Sequence, residues 1–161
     1  MTTASRNERD DSALIPLPEP PSASSDNARA VMVGNRGADT RPERALRSAL
    51  HARGLRFFKN RRPEPTIRCR ADIVFPSERV AVFVDGCFWH RCPIHGTSPR
   101  VNSPYWAAKL DRNVARDKRN DSALQERGWR VIRIWEHDSP HPGAKSIADL
   151  LDQVRASPRP S

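Results

Sequence analysis

The stretch VFVDGCFWHRCPIHG, residues 82–96, joins an apolar run to two cysteines, two histidines and two large aromatic side chains. Its apolar part belongs to the β-branched run RVAVFVD at residues 79–85, which indicates a buried strand. A second such run, ADIVF at residues 71–75, precedes it, and only the turn residues PSE separate the two. The two runs therefore predict a β-hairpin that ends where the cysteines begin.

Three helices and two further strands are predicted around this hairpin. Asp39 or Thr40 is expected to cap the first helix and Ser103 the second, each with a proline in the first turn. The segment SPHPG is interpreted as a break before the last helix. With their caps, the predicted helices cover residues 39–54, 103–128 and 146–157, and the further strands cover residues 55–58 and 129–136. This order predicts a single α/β fold with a mixed sheet flanked by helices.

Charge and composition divide the chain into a leader and a domain. Residues 1–30 are proline-rich and hold three arginines against five acidic side chains, which predicts a disordered leader of charge −2. Since the whole chain of 161 residues carries +9, the remainder carries +11. The folded domain is predicted at residues 31–156 and a disordered tail at residues 157–161.

The high positive charge predicts a polyanionic partner, most often nucleic acid, although a basic surface also serves solubility. No apolar run in the sequence has the length of a membrane span, and the first twenty residues lack the layout of a signal peptide. A cytoplasmic protein without membrane contact is therefore expected.

The cysteines and histidines predict a zinc site. Cys87, Cys92 and His95 supply three of the four ligands that a closed structural zinc site needs. The fourth is expected to be His137, which directly follows a predicted strand, and His90 between the two cysteines is its rival. A total of three cysteines argues against a disulfide framework. The alternative is a buried cysteine pair with surface histidines.

Phe88 and Trp89 lie inside this loop. Rings on a rigid loop suit insertion between DNA base pairs, where unstacking costs a few kcal/mol and new contacts offset it. The same rings also suit a small core beneath the loop. The sequence leaves both interpretations open.

Several carboxylates predict a second, harder metal site. Asp72 lies within an apolar strand, where an acid is costly to bury unless it is paired or binds a cation. Asp85 ends the facing strand and Glu43 lies on the first helix. Magnesium prefers such oxygen ligands, nucleases use it at a phosphodiester, and His90 is suited to activating water. The alternative is an ordinary strand-edge aspartate and a solvated helical glutamate.

Three segments together resemble the very-short-patch repair (Vsr) DNA mismatch endonucleases. They span residues 39–57, 84–96 and 103–138, and they carry the motifs GCFWH, R-N-x-x-R-D and GWRVIRIWE in that order. The resemblance implies a restriction-endonuclease-like α/β core with a structural zinc. It also implies a magnesium-dependent nick on the 5′ side of the thymine in a T:G mismatch, which initiates repair of deaminated 5-methylcytosine.

The resemblance assigns roles by position. Asp72 matches the family's central magnesium-binding aspartate, and Val84 matches the residue whose carbonyl faces the metal. His90 matches a histidine that assists water activation or phosphate stabilisation, and Glu43 matches an acid of the catalytic site. The residues that match the wedge opening the duplex, or the recognition region beside it, are Met32, Phe88, Trp89 and Trp106.

Two positions depart from the family pattern. Asp85 stands where a histidine is best known, so a carboxylate is expected to act there, as a direct or a water-mediated magnesium ligand. The division of labour between Asp85 and His90 stays open. The later zinc ligands are Cys92, His95 and, in place of a cysteine, His137, all of which are types that zinc accepts.

Basic side chains are expected to contact phosphates without reading sequence. The candidates are Arg61, Arg62, Arg112, Arg116 and Lys118. The predicted partner is duplex DNA with a T:G mismatch, bound by a monomer, with other DNA repair proteins as further partners. Two alternatives stay open, because a fold does not fix a substrate: a nuclease of the same fold with another mismatch or lesion target, and an inactive zinc-stabilised DNA-binding module.

Overall fold

The computed structural model describes residues 17–19 and 38–157. Within these ranges three helices and four strands alternate in the predicted order, and the mixed α/β class is confirmed. The elements are α1 (Arg41–Ala52), β1 (Phe58–Arg61), β2 (Ala71–Phe75), β3 (Val80–Asp85), α2 (Ser103–Glu126), β4 (Arg130–Trp135) and α3 (Pro140–Ala156). Met32, the predicted leader apart from residues 17–19, and residues 158–161 lie outside the described part of the chain.

The sheet has the strand order β1-β2-β3-β4 and is mixed. β2 and β3 form the predicted antiparallel hairpin, with a register from Phe75↔Val80 to Ile73↔Val82. β4 runs parallel to β3, from Val80↔Arg130 to Asp85↔Trp135. This parallel pairing brings the carboxyl ends of β3 and β4 to the same edge of the sheet, so the loops that follow them start side by side.

Helices cover both faces of the sheet. On one face, apolar residues of α1 and α3 such as Leu50 and Leu151 are fully buried against Ile73, Phe75 and their neighbours. On the other face, Leu124 of α2 is fully buried among a second set of sheet side chains. Each such burial contributes about 1.5–3 kcal/mol. Among the described helices, none is both long and apolar enough to span a membrane.

The first strand differs from its prediction at residues 55–58. Leu55 is buried and Phe57 packs against the same core, so these two residues connect α1 to the sheet. The strand itself is the basic segment Phe58–Arg61, in which all four side chains are exposed. Main-chain hydrogen bonds to β2 hold this edge strand. Because none of its side chains is buried, its sequence lacks the alternation of apolar and polar residues by which a strand is predicted.

Two helix starts also differ from their predictions. Thr40 caps α1 as expected, but the residue at the cap of α2 is Asn102, in a left-handed conformation with φ 55°, and Ser103 is already helical. α3 starts at Pro140, six residues before the predicted start, so SPHPG does not break the chain. Pro140 and Pro142 fall in the first turn, where the main-chain N–H groups have no helical partner to lose.

Candidate metal centre and nuclease site

The loops after β3 and β4 bring two cysteines and two histidines together. Ligand atoms of Cys87, Cys92, His95 and His137 all lie within 4.8 Å of one another. Nδ1 of His137 is 3.0 Å from Sγ of Cys87 and 3.7 Å from Sγ of Cys92. A tetrahedral zinc with bonds of about 2.0–2.3 Å requires ligand separations of roughly 3.3–3.8 Å. The set that the sequence predicted therefore converges, and its chemistry fits zinc.

A few main-chain contacts shape the cysteine loop. The N–H of Cys92 donates to the carbonyl of Cys87 at 2.9 Å, and the N–H of Gly96 donates to the carbonyl of Cys92 at 2.8 Å. A Cβ on Gly96 would lie 2.4 Å from that carbonyl oxygen, so glycine is required there. The N–H of Cys87 donates to Oε1 of Glu136 at 2.7 Å and ties this loop to the end of β4.

The electrostatics of the two sulfurs also favour a cation. Burial, together with the adjacent sulfur of Cys92, raises the pKa of the Cys87 thiol to about 11, whereas at Cys92 burial is outweighed by main-chain N–H donors, which lower the pKa of that thiol. Two thiolates this close repel each other, and a divalent cation between them removes that repulsion.

Asp72 presents a carboxylate near the same edge of the sheet. Its Oδ2 accepts a hydrogen bond from the N–H of Val84 at 2.7 Å, which leaves Oδ1 available to a ligand. Burial raises the pKa of Asp72 to about 6; the Val84 hydrogen bond opposes the shift, and the charges of Glu43 and Asp85 add to it. A carboxylate that is costly to ionise alone, with other acids nearby, fits a divalent cation site.

Glu43 is buried rather than solvated, with an exposed fraction of 5%. Its carboxylate accepts from the N–H of Asp39 at 2.7 Å and from the hydroxyl of Thr40 at 3.0 Å. The hydroxyl of Thr40 in turn accepts from the N–H of Glu43, so Thr40 caps α1 and Glu43 bonds back to the segment before the helix. The charge of Glu43 contributes to the raised pKa of Asp72, so the start of α1 lies near that carboxylate.

His90 stands outside the cysteine cluster and contacts α2. Its Nδ1 lies 2.6 Å from Oδ2 of Asp117, a buried oxygen that has no hydrogen bond of good geometry within the described residues. Burial alone would raise the pKa of Asp117, but the hydrogen bond from His90 and nearby positive charges outweigh it and lower that pKa. A proton on Nδ1 would satisfy this carboxylate and leave Nε2 as an acceptor.

Asp85 is also buried, and a guanidinium holds it. Its Oδ1 accepts from Nη1 of Arg133 at 2.8 Å and lies 3.8 Å from Nδ1 of His90. Burial raises the pKa of Asp85, against the opposing charges of His90 and Arg133. Arg133 also donates to both carboxylate oxygens of Asp121 at 2.8 Å. Magnesium ligation by Asp85 stays a prediction, in competition with this arginine.

The aromatic side chains form one half-buried cluster beside the loop. The ring of Phe88 lies 5.0 Å from that of Trp89 and 5.6 Å from that of Trp106 on α2. The ammonium of Lys109 lies 5.4–5.6 Å from the ring centroids of Trp89, Trp106 and Tyr105. The cluster is neither a closed core nor fully solvated, so its rings are both positioned and accessible.

The predicted phosphate contacts lie on two elements. Arg61, at the end of β1, stacks its guanidinium 4.3 Å from the ring centroid of Phe58, and Arg62 follows in the loop; both are exposed. On α2, Arg116 and Lys118 are exposed, and Arg112 is half-buried. Because Arg61 pairs with Ala71, next to Asp72, the β1 residues lie close to the candidate nuclease site.

One polar stripe on α2 was missing from the sequence interpretation. It consists of Lys109, Asn113, Asp117 and Asp121, at a spacing of four residues. In order along the helix, these side chains contact the aromatic rings, the carbonyl of Trp89, His90 and Arg133. A spacing of four was the available signal, together with the place of Asp117 at the end of R-N-x-x-R-D.

Comparison with known proteins identifies the same family as the sequence motifs. The family model described as DNA mismatch endonuclease Vsr matches residues 24–95. The DNA mismatch endonuclease Vsr of Escherichia coli strain K12 is 38% identical over 114 residues, which are 70% of this chain and 68% of that protein. The chain belongs to the Vsr family of DNA mismatch endonucleases.

Other Vsr-family relatives are still more similar. The type II nicking enzyme V.NaeI of Lentzea aerocolonigenes is 46% identical over 125 residues, 76% of this chain and 75% of that enzyme. The type II nicking enzyme V.XorIIP of Xanthomonas oryzae is 43% identical over 133 residues, 80% of this chain and 95% of that enzyme. The predicted family is confirmed, and the substrate class that these names indicate is DNA.

Proposed function

We propose that this Vsr-family protein nicks duplex DNA on the 5′ side of the thymine in a T:G mismatch and so initiates very-short-patch repair of deaminated 5-methylcytosine. The observation that carries the proposal is the position of Asp72. Its carboxylate lies at the end of the sheet from which the aromatic loop, residues 86–102 with Phe88 and Trp89, also emerges. One side of the molecule therefore offers both a phosphate-cleaving site and a surface that detects a weakened base pair.

Two metals complete the proposal. Zinc bound by Cys87, Cys92, His95 and His137 would fix the loop, which is otherwise held by few main-chain hydrogen bonds. Asp72 and the carbonyl of Val84 would hold magnesium, which supplies charge neutralisation at the scissile phosphate. The architecture that results is the restriction-endonuclease-like core implied by the resemblance.

The chain's own groups handle the proton of the attacking water. With Nδ1 of His90 occupied by Asp117, Nε2 is the ring atom that accepts a proton from water or contacts the phosphate. Glu43 adds negative charge beside Asp72 and fixes the start of α1 against the site. Both residues act on the reaction without leaving their hydrogen-bonded positions.

Recognition is assigned to the aromatic cluster and the basic surface. Phe88 and Trp89 would enter the duplex at the mismatch, with Trp106 behind them and with Met32, whose position lies outside the described residues. Exposed arginines on β1 and α2 would bind the flanking phosphates. We propose that the domain of residues 31–156 acts as a cytoplasmic monomer and transfers the nicked DNA to other repair proteins.

A panel of end-labelled duplexes tests this function. Each duplex carries one of the possible mismatches or an abasic site, in several flanking sequences, and is incubated with Mg2+ or with EDTA. The proposal predicts one nick, 5′ of the thymine, in T:G duplexes and only with Mg2+. Faster cleavage of another mismatch or of the abasic site would assign the fold a different target, and binding without cleavage under any divalent cation would indicate a DNA-binding module.

The wedge has its own readout in the same duplexes. A 2-aminopurine base beside the mismatch brightens when the duplex is unstacked, so wild-type protein is expected to raise its fluorescence. Trp89→Ala is expected to lose most of this signal, since stacking on an aromatic ring is worth about 1–3 kcal/mol per base. Phe58→Ala, which removes an exposed ring on β1, is the matched control and leaves the signal in place.

A further inference from the structure

Four polar atoms close a ring between β3, β4, α2 and the aromatic loop. Nη1 of Arg133 lies 2.8 Å from Oδ1 of Asp85, and that oxygen lies 3.8 Å from Nδ1 of His90. Nδ1 lies 2.6 Å from Oδ2 of Asp117, which is 3.8 Å from Nη1 of Arg133. Donors and acceptors alternate around this ring, so each carboxylate oxygen lies between an imidazole and a guanidinium.

Arg133 is the fixed corner of the ring. Its Nε and Nη2 both bond to Asp121 on α2, in the two-point geometry that suits a guanidinium. Its charge also lies over the face of Phe83, with 4.7 Å from the guanidinium carbon to the ring centroid. All three nitrogens are therefore engaged, and the side chain is only 24% exposed.

Asp85 and Asp72 lie near the same edge of the sheet, and the charge of Asp85 contributes to the raised pKa of Asp72. Their hydrogen-bond partners nevertheless differ. Oδ2 of Asp72 bonds to a main-chain N–H and the other oxygen is open. Asp85 instead has a guanidinium bonded to its Oδ1, and a positive charge this close to the carboxylate repels a second cation. The two acids are similar in sequence context but differ in their partners.

We propose that Arg133 is a positioning residue that keeps Asp85 as its counter-ion, out of the metal coordination, and through Asp85, Asp117 and Asp121 fixes the imidazole of His90 in its reactive orientation. The inference rests on the proposed nuclease function of this site. The proposal assigns different roles to Asp85 and His90. Asp85 neutralises the charge of Arg133 and helps to orient the imidazole of His90, and His90 contacts the reacting groups.

The test uses Arg133→Met, Asp85→Asn and the control Arg130→Met in the full chain. Arg130 is exposed on the same strand, at the opposite end of the sheet. The first readout is the 15N chemical shift of the His90 ring, assigned with His90→Gln, because it reports whether Nδ1 carries the proton and needs no DNA. The second is the single-turnover nicking rate on a T:G duplex as a function of Mg2+ concentration.

The proposal predicts that Arg133→Met changes the 15N shifts of the His90 ring, because Asp85 and Asp117 lose the cation that holds and neutralises them, and lowers the nicking rate at least about tenfold, a part of what general acid–base catalysis supplies. DNA affinity stays unchanged, and Arg130→Met behaves as wild type. Asp85→Asn lowers the rate but leaves the half-saturating Mg2+ concentration where it was. If Arg133→Met does not fold, Arg133→Lys keeps the charge but cannot bond to Asp85 and Asp121 together, and the same changes are expected.

Two results would overturn the proposal. A several-fold rise in the half-saturating Mg2+ concentration of Asp85→Asn would make Asp85 a metal ligand. A His90 ring that keeps its wild-type 15N shifts without Arg133 would show that the arginine does not position it. If wild-type protein nicks no T:G duplex, the proposed function fails, while the 15N shifts still decide the role of Arg133.

Discussion

Asp72 occupies a position that is unfavourable for its charge. Burial raises its pKa to about 6, and nearby Glu43 and Asp85 add to the shift. Residues at reaction centres often reduce the stability of the folded state in this way, because the reaction requires a charged group at a position where an apolar residue would be more stable.

A stability measurement on Asp72→Asn follows from this cost. The folded carboxyl has a pKa of about 6 against an ordinary 3.8, so it binds more protons folded than unfolded between these values. Its contribution to stability is present below the unfolded pKa and is lost as the pH rises through the folded one. Without added Mg2+, Asp72→Asn is therefore expected to unfold at higher urea than wild type at pH 7, and the gap is expected to close near pH 4. A variant that is less stable than wild type at pH 7 would contradict this.

The sequence predicted some residues of the site better than others. Asp72 could be found because an acid inside an apolar strand is unusual by itself. Arg133 could not, because it looks like an ordinary charged residue of an edge strand, and Asp117 had only the weak signal of its four-residue spacing on α2. Their roles come from pairing across 12 to 48 residues of chain, which no local pattern encodes.

At the scale of elements, the loop between β3 and α2 has little support from the rest of the fold. Its main chain is held by a few hydrogen bonds, and exposed apolar side chains such as Ile94 and Val101 give it little core of its own. A structural zinc contributes on the order of 10 kcal/mol in small domains, which is more than this loop obtains from packing.

Removing one cysteine ligand tests this dependence. Wild-type protein is expected to bind one equivalent of zinc, measured by atomic absorption, and Cys87→Ser is expected to lose it and to have a lower thermal unfolding midpoint. Cys69→Ser is the control, since Cys69 is buried in the other part of the core and outside the cluster. Equal zinc content in wild type and Cys87→Ser would exclude the proposed site.

The elements differ in how far the sequence predicted them. β2, β3 and β4 were found because buried strands need apolar β-branched residues. β1 was displaced, because an exposed edge strand is set by main-chain pairing and leaves no pattern. The predicted start of α3 lay too far along the chain, because the prolines of SPHPG were interpreted as a break. Proline disrupts the interior of a helix but is accepted in its first turn.

At the scale of the whole molecule, charge and shape act together. The net charge of +9 favours a polyanion such as DNA, and the exposed arginines near Asp72 are proposed to direct the duplex to that side. Such contacts release counterions from the duplex, so binding weakens as salt rises.

The salt dependence of DNA binding tests whether the duplex lies on the side of the molecule that carries Arg61 and Arg62. Arg61→Ala combined with Arg62→Ala is expected to reduce the slope of log K against log salt by about two, or roughly 0.9 for each lost phosphate contact. Arg155→Ala is the control, because Arg155 pairs with Glu78 at the far end of the sheet. Equal slopes for wild type and the double variant would place the DNA elsewhere.

The most direct measurement maps cleavage of a strand-labelled T:G duplex by wild type and by Asp72→Asn at saturating Mg2+. The account predicts a single wild-type nick, 5′ of the mismatched thymine. It predicts a rate about three orders of magnitude lower for Asp72→Asn, at unchanged DNA affinity, since metal stabilisation of a phosphoryl transition state is worth several kcal/mol. Wild-type cleavage of both strands, or an Asp72→Asn variant that nicks at the wild-type rate, would contradict it.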